Sequence, residues 1–268
     1  MRKPLWWIAG ALILASAAAL YYAWWSGRRP APVAVATAPP AATAPAVRNP
    51  MPALPADANP PLPTLAASDA PLHAGLLELA GRQIEDWLVP ENIIRHLVVT
   101  VDNLEHKRVT VELRPLKPVR GEFRAAGDDQ HATLSADNFA RYKPYVDVLQ
   151  KVDAKSMASL YTRYYPLFQQ AYQDLGYPNG YFNDRLVEVI DDMLATPEPS
   201  GPIALVRPNV MYQYADAQLE SASAGQKLLL RMGPENAAVV KAKLRELRSE
   251  VASRTRSDDD SRQRSTGG

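Results

Sequence analysis

Cysteine is missing from all 268 residues. Its absence excludes disulfides, thiolate nucleophiles, cysteine-ligated zinc or iron–sulfur centres and lipid attachment through an N-terminal cysteine. There is no Gly-rich phosphate loop and no G-x-S-x-G nucleophile elbow. His73, His96, His106 and His131 offer no i, i+4 pair and no H-E-x-x-H, so the sequence predicts neither a metal site nor a cofactor. Ser156, Ser159 and Ser223 lack a local setting that would make a nucleophile. Excess charge of one sign is missing too: 30 Lys+Arg against 29 Asp+Glu leave a net +1. No nucleic-acid partner is expected on that total, although a local basic face can hide in a neutral sum.

One long uncharged run is present. Leu5 to Trp25 reads LWWIAGALILASAAALYYAWW. As a helix it would extend about 31 Å, the thickness of a bilayer's hydrocarbon core. Trp6 and Trp7 at one end, and Tyr21, Tyr22, Trp24 and Trp25 at the other, match the aromatic belts of the two interfaces. Ala15-Ser16-Ala17 resembles a signal-peptidase site, but cleavage there would leave an apolar stub on the mature chain. The expectation is an uncleaved anchor with the lipid bilayer as partner of residues 5–25. Residues 1–4 are placed in the cytoplasm and the remainder in the periplasm of a bacterial inner membrane. That orientation leans on the long spacer that follows, because the flanking charges, Arg2 and Lys3 against Arg28 and Arg29, are nearly balanced.

Residues 26–67 read as a disordered Pro/Ala linker. From Pro30 to Pro63 eleven of 34 residues are proline, and Arg48 and Asp57 are the only charges. Such a stretch can neither hold a helix nor form a core, and samples polyproline II. The P-x-x-P match at Pro52 to Pro55 has no neighbouring arginine and reads as spacer.

Residues 68–253 carry the pattern of a compact, mostly α domain with a few short β-strands. Ser68 or Asp69 can cap a helix through Leu72, Leu76, Leu77 and Leu79, which Gly81 interrupts. Pro90-Glu91 suits the first turn of the next, through Ile93, Ile94, Leu97, Val98 and Val101. Val109, Val111 and Leu113 alternate like a short strand, and 121–125 with 131–134 like a hairpin. Helices through Phe139–Leu149 and Met157–Leu175 follow, with Pro144 and Pro166 predicting a kink or restart in each. Asn183 or Asp184 opens LVEVIDDMLAT. Two short strands, 203–206 and 210–214, precede helices begun by Asp216, Ser223 and Pro234. Residues 254–268 read as a disordered polar tail.

The stretches LVVTVDNL (Leu97 to Leu104), RYKPYVDVL, LYTRYYPLFQQAYQDLGYPNGYFNDRLVEVIDDMLATPEP and SAGQKLLLRMGPENAAVVKAKLRELR resemble the bacterial family catalogued as domain of unknown function 3014. The resemblance spans residues 68–250. It implies the same layout, a hydrophobic anchor, a low-complexity spacer and this domain, and brings no activity, ligand or catalytic residue with it.

Ten of the twelve tyrosines lie between Tyr142 and Tyr214. Tyr161, Tyr164, Tyr165, Phe168 and Tyr172 fall at helical spacing, as a core stripe does. Tyr177, Tyr181 and Phe182 stand apart in GYPNGYF, where an aromatic loop could bind peptide or glycan. Asp184, Glu188, Asp191 and Asp192 share a helix face. That is a solvated face in the plainer reading, and in the sharper one Glu188, Asp191 and Asp192 are the carboxylates of a hydrolase. Lys241, Lys243, Arg245 and Arg248 read as the solvated side of the last helix. The expected function is a membrane-anchored binding or scaffolding module that contacts an envelope protein or peptidoglycan. The alternative is a cell-wall hydrolase built on Glu188, Asp191 and Asp192. The two differ in space: a hydrolase needs those acids in one concave site with Tyr177 and Tyr181.

Overall fold

The structure, a computed structural model, describes residues 46–53, 60–107, 113–128 and 131–252, all within the unit Pro45–Gly268. The expected span 5–25, most of the linker, the tail 254–268 and the strand positions Val109 and Val111 lie outside the described residues. Among the described residues no helix is long and apolar enough to cross a membrane.

The domain is mostly helical with a few two-residue strands. Helix α1 (Asp69–Ala80) ends where Gly81 turns to a φ of +82°, a conformation that side chains with a Cβ resist. A 3-10 turn, Arg82–Ile84, follows. Helix α2 (Ile93–Leu104) begins later than its Pro90-Glu91 signal predicts, because Asn92 adopts the left-handed region (φ +52°) immediately before it. Its cap comes from α1: the Asp69 carboxylate accepts the N–H groups of Asn92 (2.7 Å) and Ile93 (2.9 Å). Burying Ile93, Ile94 and Val98 on one face settles the β-branched run 98–101 as helix.

Strands β1 (Ala125–Ala126) and β2 (Thr133–Leu134) pair antiparallel, as do β3 (Leu205–Val206) and β4 (Gln213–Tyr214). A bridge between Thr133 and Ala204 joins the two hairpins. Helices α3 (Asp137–Lys151) and α4 (Ala154–Asp174) run unbroken through Pro144 and Pro166, so neither restarts at its proline. Both prolines are exposed, where the carbonyl that loses its partner can be hydrated, while the opposite face is held by packing. Asp153 caps α4 through the Ser156 N–H at 2.8 Å. Helix α5 (Phe182–Leu194) follows the GYPNG turn. Helix α6 (Ala217–Ser221) is capped by Asp216, and α7 (Ala224–Met232) by a capping box of Ser223 and Gln226. Pro234 opens α8 (Pro234–Ala252). The apolar stripe of α8 packs against α3, α4, α5 and α7, so it serves its own domain.

A domain of this size usually has one contiguous core. Here the buried residues fall into separate clusters. One is built on Ile93, Ile94, Phe168 and Phe182, another on Ile84, Leu88, Val148 and Val152, and a third on Val146, Val189, Met193, Leu229 and Val240. A chamber lined by residues of the first two lies between them.

Candidate functional site

Helices α1 to α5, with Leu247 of α8, surround a chamber of about 500 Å³. Leu76 of α1, Leu97 of α2, Leu149 of α3, Leu160 of α4 and Leu186 of α5 all face it. These leucines are half-buried, and the surface they leave uncovered lines the chamber. No charged side chain lines it. The chamber opens to solvent, and its apolar wall gives water few polar partners, so an apolar occupant that displaces this water gains roughly 25 cal/mol per Å² of apolar surface covered. The dimensions and walls are those of a site for an apolar molecule, within the ~300–1,000 Å³ range of ligand pockets.

The chamber is closed on one side by Pro115 and Leu116. Their backbone is pinned to the turn after α1: Val89 N–H donates to Pro115 O (2.9 Å) and Lys117 N–H to Trp87 O (2.8 Å). The same two residues also line a second cleft of about 590 Å³. Among the described residues its wall carries Lys107, Arg114, Lys117, Arg141, Lys227 and Arg231, and no carboxylate. Arg141 holds the loop in place by donating to the carbonyls of Arg120 (3.0 Å) and Gly121 (2.6 Å). Lys227 pairs with Glu220 at 3.0 Å just outside the lining. Burial alone would raise the Glu220 carboxyl, but the Tyr214 N–H and the Lys227 ammonium bring it below its usual range.

The carboxylates singled out on α5 do not converge. Glu188 pairs with Arg48 and lies 3.6 Å from Arg185. Asp191 grips Arg248 of α8 through both oxygens, at 2.5 and 2.8 Å. Asp192 accepts from Ser223 Oγ (2.6 Å) and Gln226 Nε2 (3.1 Å), tying α5 to the start of α7. None of the three lines the chamber or the basic cleft. The cations of α8 are equally occupied: Lys241 is buried and donates to Thr196 O and Glu198, and Lys243 to Val152 O and Glu246.

Of the aromatic residues of GYPNGYF, Phe182 is buried, Tyr181 half-buried and Tyr177 exposed. Phe182, read as part of a loop, is the first residue of α5, only 1% exposed and stacked on Phe168 at 5.7 Å. Tyr177 stacks on Tyr172 at 4.5 Å and donates to Asp102 at 3.1 Å, leaving an edge exposed. Tyr181 packs on Tyr165. Gly180 allows this, since a Cβ there would sit 2.7 Å from the Tyr172 ring. Burial, with the Asp102 charge added, pushes the Tyr172 phenol up to about 12. Tyr177 is pushed up by the same two causes. Beneath them Arg185 donates to Asp102 Oδ1 (3.1 Å), to Asp102 O (2.7 Å) and to Glu105. Burial opposes its charge, but the Glu105 and Asp102 carboxylates prevail and hold the guanidinium more firmly protonated.

Part of the expected linker is docked on the domain. Asp184 accepts the N–H groups of Arg48 (3.0 Å) and Asn49 (2.6 Å), and Asn183 donates to Asn49 O (2.9 Å). Met51 N–H donates to Tyr181 OH at 2.5 Å, and the Met51 and Leu62 side chains pack on the Phe168 cluster. The ordered chain therefore starts earlier than position 68. Sequence reasoning also missed the chamber and the cleft: the six cations come from separate segments, and the apolar spacing is the same for a filled core as for a hollow one.

Among the described residues no group of three or more His, Asp or Glu side chains is placed to hold a metal ion. Comparison with curated proteins and with solved structures finds no match. A family profile does match, over residues 93–248, which takes in α2 through nearly all of α8 and hence most of the chamber wall and the cleft. The chain belongs to the family described as "Protein of unknown function (DUF3014)".

Proposed function

We propose that this chain is a membrane-tethered binding module of the bacterial envelope whose domain takes up an apolar molecule or chain. Residues 5–25 are its anchor, the Pro/Ala stretch its tether, and the periplasm its compartment. The single observation that carries the binding reading is the chamber of about 500 Å³ without a charged wall. An apolar ligand fits the chamber better than a glycan strand, because its apolar wall offers few partners to sugar hydroxyls. The hydrolase reading has lost its motive: its three carboxylates are spent on three different structural partners.

The test uses cells expressing the full chain and fed a long-chain fatty acid that bears a diazirine. After photolysis, membranes are washed with alkaline carbonate and the labelled peptides mapped. The chain should stay in the washed membranes, and label should fall both on 5–25 and on peptides containing Leu76, Leu149 and Met157. Release into the wash, or a shortened front end, would overturn the tether. Label confined to 5–25 would overturn the chamber as a binding site.

A further inference from the structure

We infer that the ligand is an anionic amphiphile, a lipid whose charged headgroup sits in the basic cleft while its chain passes Pro115 and Leu116 into the chamber. This rests on the proposed apolar binding and adds the chemistry of the headgroup. Three observations carry it. The two cavities share a wall: Pro115 and Leu116 line both, and Tyr142 of the cleft lies one helical turn from Tyr145 of the chamber on α3. Their chemistries are complementary halves: among the described residues one is lined without a charge, and the other by Lys107, Arg114, Lys117, Arg141, Lys227 and Arg231. Cations gathered this closely repel one another; Glu220 offsets Lys227, and a bound anion would offset Lys107 and Lys117. Among the described residues, no ion pair engages Lys107 or Lys117. Both are exposed at the cleft, free to close on a headgroup.

The boundary itself suits a threshold. Leu116 is 42% exposed although its backbone is bonded on both sides of the bridge to Leu88. The backbone of this strap is fixed, so a chain crossing from cleft to chamber would have to displace the Leu116 side chain. Phosphate fits the donors best, since guanidinium and ammonium groups both bind phosphoryl oxygens.

The full chain is reconstituted in phosphatidylcholine vesicles carrying a trace of a diazirine-tailed lipid, either phosphatidylglycerol or phosphatidylcholine with identical tails. Labelling of peptides containing Leu76, Leu149 and Met157 is then compared. The anionic probe should label them on the order of fivefold more than the zwitterionic one. The preference should vanish in a Lys107→Glu/Lys117→Glu variant that keeps the wild-type unfolding transition, and raised salt should erode it in the wild type. If the double reversal does not fold, Lys107→Gln/Lys117→Gln and the salt series decide. Equal labelling by both probes overturns the headgroup assignment and leaves the chamber reading standing. No chamber labelling by either overturns both. If inorganic phosphate binds the full chain while the anionic probe labels the chamber no more than the zwitterionic one, the cleft is a site for free phosphate and the amphiphile is overturned.

Discussion

The carboxylate of Asp184 holds the backbone and side-chain amides of Asn49 at 2.6 and 2.9 Å, across 135 residues of chain. A residue in the first turn of α5 thus fastens the segment that leads into the domain. Asp184→Ala should release residues 46–53, with faster amide exchange at Arg48, Asn49 and Met51 and early proteolytic cutting there. Because hydrogen bonds to a charged group are worth ~1.5–3 kcal/mol when well shielded, this half-exposed set should contribute about 1 kcal/mol. An unchanged exchange pattern would show that the strap is held by Met51 packing alone.

Arg185 neutralises two acids inside the domain, and its side chain is 14% exposed against 10% for Asp102. Arg185→Ala leaves Asp102 buried with only the Tyr177 hydroxyl for company, and should cost about 3 kcal/mol or more. Urea denaturation measures this. Arg185→Met combined with Asp102→Asn should recover part of the loss, because the uncompensated charge goes with its partner.

Glu198 is held below the usual carboxylate range by its hydrogen bond from Lys241 and by that ammonium's charge. A lowered folded-state value stabilises the fold above the unfolded value of 4.5 and is lost as pH falls through the folded one. Glu198→Gln should therefore lower Tm at pH 7, and the difference from wild type should close progressively below pH ~4.5. A gap that persists into strong acid would assign the effect to something other than the ion pair.

Leu76 faces the chamber from α1. Leu76→Phe adds volume where there is room, so it should stabilise the ligand-free chain by about 1 kcal/mol while reducing uptake of the diazirine probe. A stabilised chain that labels as before would mean that the ligand lies elsewhere.

Much of the fold is legible in the sequence where the signal is local. Asp153, Asp216 and Ser223 cap helices through N–H groups two or three residues on, and each was readable from its immediate neighbours. Asp69 carries the same cap chemistry but uses it on α2, which no window around position 69 reveals. The acidic face of α5 reads as solvated because its partners, Arg48, Arg248 and Ser223, are brought to it only by the fold. The chamber is invisible for a different reason. Helical spacing of leucines says which way a side chain points, and not whether another meets it there.

An apolar recess that opens to solvent also has a calorimetric signature. Covering apolar surface lowers the heat capacity, so the enthalpy of filling the recess should become more negative as temperature rises. Titration at two temperatures would then register an occupant, a readout that asks nothing about what the occupant is.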